Sequence, residues 1–235
     1  MNEHTLSARL ERVAARVPAG ARLADIGSDH AYLPVALMRR GLIEFAVAGE
    51  VALTPFNAAL RTVRENSFET SIVVRHADGL TAIEPRDRID AITMCGMGGE
   101  TIRDILNRGR ERLSGQEALI FQANGGEPPL RQWLMDQGYR IVHEEVLHEH
   151  RFDYDLIVAE RSGPVTYSAE ELYFGPLLLK SRSPAFLLKW QRLLKRRQQT
   201  LEDFARARQP VPPDKVRAIV QEAESISAML GAAAR

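Results

Sequence analysis

The chain has 235 residues, 45% of them hydrophobic and 26% charged, which suits a globular protein with one sizeable core and an appendage. It contains no run of about 18 apolar residues, so no membrane-spanning helix is expected. Its single cysteine, Cys95, excludes an internal disulfide framework and a cysteine-rich zinc site, and its formal charge is zero. The polar start, Met1-Asn2-Glu3-His4-Thr5, lacks the apolar centre of a signal peptide, so a cytoplasmic location is expected.

From residue 21 to about 160, short apolar runs alternate with amphipathic stretches. Residues 22–26 read as a strand ending at a glycine, and 34–40 as a helix with Pro34 in its first turn. Residues 45–51 read as a second, buried strand. Thr54-Pro55 looks like an N-cap followed by proline, opening a helix to about Glu65. Strands are expected at 72–77, 90–95 and 118–123. Helices follow the last two, one with Ile102, Ile105 and Leu106 on one face, the other over 129–137 before Gly138. Residues 140–147 and 155–160 are two further strands, too close in sequence for a helical crossover, so they form a hairpin. The alternation predicts a mainly parallel sheet with helices on both faces, an α/β fold that closes on one antiparallel strand. By analogy of fold, that ending is typical of Rossmann-like methyltransferases that use S-adenosylmethionine (SAM).

After Ser162-Gly163-Pro164 the strand signals stop. Leu187, Trp190, Leu194, Leu201 and Phe204 recur at helical spacing, with Arg197 at the one missing position. Beyond the break at Pro210-Val211-Pro212-Pro213, Val216, Ile219, Val220, Ala223, Ile226 and Leu230 repeat the pattern. A C-terminal helical hairpin of coiled-coil type is expected, giving domains at 1–163 and 164–235. Residues 180–208 hold nine basic side chains (Lys180, Arg182, Lys189, Arg192, Lys195, Arg196, Arg197, Arg206 and Arg208) against Glu202 and Asp203, a net +7, so the rest of the chain carries −7. Such an arm either meets a polyanion or forms a solvated helix face.

Five constellations carry candidate chemistry. In Asp25-Ile26-Gly27-Ser28-Asp29-His30 only Gly27 matches a dinucleotide loop; Asp29 and Tyr32 stand where the other glycines would fall. An acid there would repel a pyrophosphate but suits a sulfonium and an ammonium, as SAM carries; Gly27 lets the backbone approach such a ligand. An Asp that merely caps the turn is the alternative. Glu50, at the end of the second strand, is placed to accept from ribose hydroxyls. Asp78-Gly79-Leu80 follows the third strand, where an acid meets an adenine amino group unless it is a simple Asp-Gly turn. Cys95-Gly96-Met97-Gly98-Gly99 follows the fourth strand, with Met97 available to pack on adenine, or it is a hinge. Gln122-Ala123-Asn124 follows the fifth, offering amides to a base edge or making an Asn-Gly turn with Gly125. His143, His148 and His150 lack compact metal spacing, Cys95 reads as a small strand-end residue, and no metal is expected.

These segments together resemble the bacterial tRNA adenine-22 N1-methyltransferases, over nearly the whole chain. The resemblance is carried by Ala24-Asp25-Ile26-Gly27-Ser28-Asp29-His30-Ala31-Tyr32-Leu33-Pro34, Ala48-Gly49-Glu50-Val51, Asp78-Gly79-Leu80, Gly96-Met97-Gly98-Gly99 and Leu130-Arg131-Gln132-Trp133-Leu134. It implies a Rossmann-like domain with a helical tail, SAM as methyl donor and tRNA as acceptor. It further implies that Asp25, Gly27, Ser28, His30, Glu50, Val51, Asp78, Gly79, Leu80, Gly96 and Met97 hold the cofactor, with Asp29, Tyr32 and Asn124 facing the target base, and His30 close to it. Lys189, Arg192, Lys195, Arg196 and Arg197 are expected to meet tRNA, and the chain to be a monomer or weak dimer. The chain departs from the family pattern at Thr54-Pro55 (Gly-Pro), at Gln122-Ala123-Asn124 (Gln-Pro-Asn) and at Cys95 (Ala). The residues alone leave two alternatives: a small-molecule methyltransferase with a dimerising tail, or a SAM-binding module without catalysis.

Overall fold

A computed structural model describes residues 3–207 and 209–232; Met1, Asn2, Arg208 and the last three residues lie outside it. The chain divides into two compact units, Met1–Lys180 and Ser181–Arg235. The first is built on a seven-stranded sheet: β1 (Ala21–Ile26), β2 (Ile43–Glu50), β3 (Ile72–His76), β4 (Ala91–Met97), β5 (Ala118–Ala123), β6 (Tyr139–Glu149) and β7 (Phe152–Arg161), in the order β3-β2-β1-β4-β5-β7-β6. Strands β1 to β5 are parallel, and β7 alone runs against both its neighbours.

Helices alternate with the strands: α1 (Ala8–Ala14), α2 (Tyr32–Arg39), α3 (Leu53–Glu65), α4 (Gly99–Arg108) and α5 (Glu127–Asp136). Adjacent strand residues point to opposite faces, and the burial follows. Leu23, Ala91, Ile120 and Leu156 join α1, α2 and α3 in one core, while Ala24, Ile92, Phe121 and Ile157 join α4 and α5 in the other. Strands buried on both faces therefore read as continuous apolar runs.

Three boundaries differ from the sequence reading. Helix α3 starts at Leu53 with Ala52 at its N-cap, so Thr54 is not a cap; Pro55, in the first turn, forfeits an amide that has no intrahelical partner there. Helix α1, unexpected from the sequence, is capped by the Ser7 hydroxyl and buries Leu10 and Val13. The first unit also runs past residue 163. Helices α6 (Ala169–Phe174) and α7 (Pro176–Ser181) follow β7, and their segment is tied to the sheet by the buried Arg131. Its guanidinium meets Glu144 at 2.7 Å, Asp155 at 3.3 Å and the carbonyls of Leu172 and Tyr173 at 3.2 and 3.3 Å. Glu144 in turn accepts from the Leu177 amide at 2.8 Å. Residues 164–180 thus complete the sheet unit rather than open the tail.

The second unit contains α8 (Pro184–Ala205) and α9 (Pro213–Gly231). Contacts pair Arg182 with the Met229 carbonyl, Arg197 with Glu222 and Phe204 with Lys215, so the two helices run in opposite directions. Phe186, Trp190, Ile226 and Met229 are buried, whereas the expected Leu187 and Leu230 are only partly covered.

Candidate active site

The sheet order reverses between β1 and β4, and ligands in open parallel sheets sit at such a switch point, beyond the carboxyl ends of the strands. A recess of about 300 Å³ lies there, walled by the 25–33 loop, by Cys95-Gly96-Met97, and by Arg9 and Leu10 of α1. Asp25, at the end of β1, is buried. One of its carboxylate oxygens accepts from the Thr93 hydroxyl at 2.7 Å, the other from Ser28 at 2.6 Å. Burial, helped by the negative Glu50 and opposed by those two hydroxyls, pushes its pKa up to about 6. Glu50, buried at the end of β2, is likewise raised by burial, and it accepts from the Asp29 backbone amide. Two acids whose charged forms are penalised by burial suit a positively charged ligand group.

Gly27 has φ +72°, a left-handed backbone that favours glycine, and a Cβ there would stand 2.7 Å from the Met97 methyl, which would have to swing aside. Asp29 and Ala31 both take left-handed backbone, φ 56°, which is uncommon for non-glycine residues and clusters at functional loops. The Asp29 side chain is 70% exposed and lies 3.8 Å from His30. His30 stacks on Tyr32 with ring centroids 5.1 Å apart, and Tyr32 lines the recess while His30 stands outside its wall. Burial, with Asp25 alongside, raises the Cys95 pKa, so the thiol stays protonated.

The remaining expected cofactor residues lie outside the walls of this recess. Asp78, Gly79 and Leu80 line a separate niche of about 60 Å³ with Ile105 and Arg108. Asp78 is exposed and 3.4 Å from Arg108, and Leu80 is core. The Val51 side chain is 63% exposed, its carbonyl 2.9 Å from His76. The glycines after β4 divide their work. Gly96 lines the recess, but Gly99 is there for packing, because a Cβ would fall 2.2 Å from the Gly126 carbonyl oxygen.

Asn124 caps an amide network. Its Nδ2 donates to the Gly96 carbonyl at 2.8 Å and its Oδ1 accepts from Gln122 at 2.8 Å. Gln122, fully buried, uses Oε1 to accept from the Gly96 amide at 3.1 Å and from Arg9. The network fixes both polar groups of the Gly96 peptide. Arg9 and Thr93 are the residues that sequence reasoning missed. The Ser7 cap and the Leu6, Leu10, Val13 spacing announce α1, but nothing local says that Arg9 faces the recess.

His143 is 3.6 Å from Glu145, His148 is 2.8 Å from Asp153 and His150 sits in the hairpin turn. Among the described residues no group of three His, Cys, Asp or Glu is placed to hold a metal ion, and no helix is long and apolar enough to cross a membrane.

Residues 23–224 match the model of the TrmK family, tRNA (adenine(22)-N(1))-methyltransferase. The chain belongs to this family. The tRNA (adenine(22)-N(1))-methyltransferase of Bacillus subtilis (strain 168) is 39% identical over 213 residues, 88% of this chain and 89% of that protein. The solved B. subtilis m1A22 tRNA methyltransferase TrmK superposes with a TM-score of 0.87 at 34% identity, covering 97% of this chain and 99% of that one. A Streptococcus pneumoniae relative in complex with S-adenosyl-L-methionine gives 0.87 at 40% identity, with 96% and 100% covered. The TrmK of M. capricolum, solved with S-adenosylhomocysteine, gives 0.85 at 25% identity, with 97% and 99% covered.

Proposed function

We propose that this chain transfers a methyl group from SAM to N1 of adenine 22 in tRNA. The observation that carries the reading is the pair of buried acids, Asp25 and Glu50, near the carboxyl ends of β1 and β2 beside the glycine-lined recess. Asp25 holds the cationic amino-acid end, Glu50 accepts from the ribose, and Gly27, Ser28, Gly96 and Met97 close around the rest. His30 supports Tyr32 from behind. Val51, Asp78, Gly79 and Leu80 border the adenine end. When bound, SAM would supply an electrophilic methyl on its sulfonium: N1 would take the methyl as the S–CH3 bond breaks, and S-adenosylhomocysteine would be the leaving group.

The protein's part is mostly positioning, since orienting the two reactants supplies much of such a barrier reduction. N1 lies on the pairing edge, so the adenine must leave its stack to reach the recess. Tyr32 lies against the base. Methylated adenine is cationic until it loses a proton, and the Asp29 carboxylate stabilises that charge or takes the proton. Both ends of the Asn124 amide are engaged within the protein, so Asn124 shapes the floor under the base.

We read α8 and α9 as a coiled-coil-type hairpin whose basic side chains meet phosphates, on a chain that is a monomer or weak dimer in the cytoplasm. Lys195 and Arg196 are exposed. Lys189 lies over the Trp190 ring, and Arg192 is partly covered. Arg197 is bound to Glu222 at 2.5 Å and serves the hairpin first.

The test is methyl mapping by mass spectrometry after incubation with SAM and unmodified tRNA, with a single methyl at adenine 22 expected. Asp29→Asn, which tolerates the left-handed backbone, should lower kcat about 100-fold while SAM affinity holds. Undiminished turnover in that variant would remove Asp29 from the mechanism.

A further inference from the structure

Strand β5 ends at Ala123, opposite Asp155, but the β6–β7 hairpin continues for three more rungs, Leu147 with Tyr154, His148 with Asp153 and Glu149 with Phe152. Because β7 is antiparallel, this overhang rises at the carboxyl end of the parallel strands, where the recess lies. Direct partners share a face and neighbours alternate, so Phe152, Tyr154 and Glu149 point to the α1 side and Asp153 to the other.

That face carries alternating cations and rings. Arg9, in the wall of the recess, lies over Tyr154 at 5.5 Å; the Tyr154 and Phe152 rings are 6.3 Å apart; Arg151 lies over Phe152 at 5.6 Å. Phe152 is 54% exposed, a position where an aromatic ring gains nothing from the core. The acids nearby are engaged. Glu149 accepts from the first amide of α1 at 2.7 Å and lies 3.8 Å from Arg9, and Asp153 is paired with His148.

We propose that Phe152 and Tyr154, flanked by Arg151 and Arg9, form a stacking rail for the unpaired RNA bases next to the target adenosine. The inference rests on tRNA being the substrate. An adenine drawn out of its stack leaves its neighbours without their own stacking partners, and exposed rings with interleaved arginines are what such bases bind. A rail that begins at the recess wall holds the neighbours while the adenine enters.

The test compares Phe152→Ala, Phe152→Trp and Arg151→Ala with wild type at saturating SAM. Phe152→Ala should raise KM for tRNA roughly tenfold, the scale of one lost stacked base, with kcat and SAM affinity nearly unchanged and thermal unfolding unaltered. Phe152→Trp should restore KM. Arg151→Ala should raise KM less and flatten the salt dependence of tRNA binding by about one ion. An unchanged KM in Phe152→Ala overturns the rail, as does an equal loss in the Trp variant. If wild type methylates no tRNA, the functional reading falls and the rail with it; if wild type is active and the hairpin variants match it, only the rail falls.

Discussion

Asp25 carries a definite pH signature. Burial lifts its pKa to about 6 from the ordinary 3.8, so between those values the folded protein binds more protons than the unfolded chain. Its contribution is therefore present in acid and is lost as pH rises through about 6. A ligand ammonium reverses the preference by favouring the carboxylate. SAM binding should then release a proton near pH 5–6, and affinity should climb across that range and level off above it. Calorimetry in two buffers of different ionisation heat reads the release. Asp25→Asn should abolish both the release and the slope; a variant with the wild-type pH profile would assign the proton elsewhere.

Arg131 decides how far the sheet unit extends. Among its partners are two buried carboxylates and two carbonyls from the α6 segment, none of them visible as neighbours in the sequence. Arg131→Met removes the cation between Glu144 and Asp155, and should lower stability by about 3–5 kcal/mol in denaturant unfolding. Replacing all three with apolar residues should recover most of the loss. The same contrast explains what could be read in advance. Strands β1 to β5, helix α4 and the hairpin follow from periodicity, because each is set by its own apolar pattern. The Asp25 loop was legible because acids stand where a dinucleotide loop needs glycine. The split of Asp78–Leu80 into a second niche, the packing role of Gly99 and the approach of Arg9 were not legible. Each depends on a partner from a distant element, such as Ile105, Gly126 or Gln122.

For the whole molecule the charge separation matters most. A chain of zero net charge keeps +7 in residues 180–208, leaving an acidic body. Lys195→Glu with Arg196→Glu should weaken tRNA binding and reduce its salt slope by about two ions, with SAM affinity and unfolding unchanged. A double variant with wild-type tRNA affinity would make α8 a merely solvated face. The hairpin overhang adds a separate consequence. Below Asp155 the hairpin is locked to the sheet by the β5–β7 and β6–β7 ladders, while beyond Leu147, which packs on the core, the turn at His150 and Arg151 and the Phe152 ring join neither core. Its turn is thus a place where selection, or a designer, can exchange residues to change which RNA sequence is gripped without retuning the fold or the methyl-transfer chemistry below.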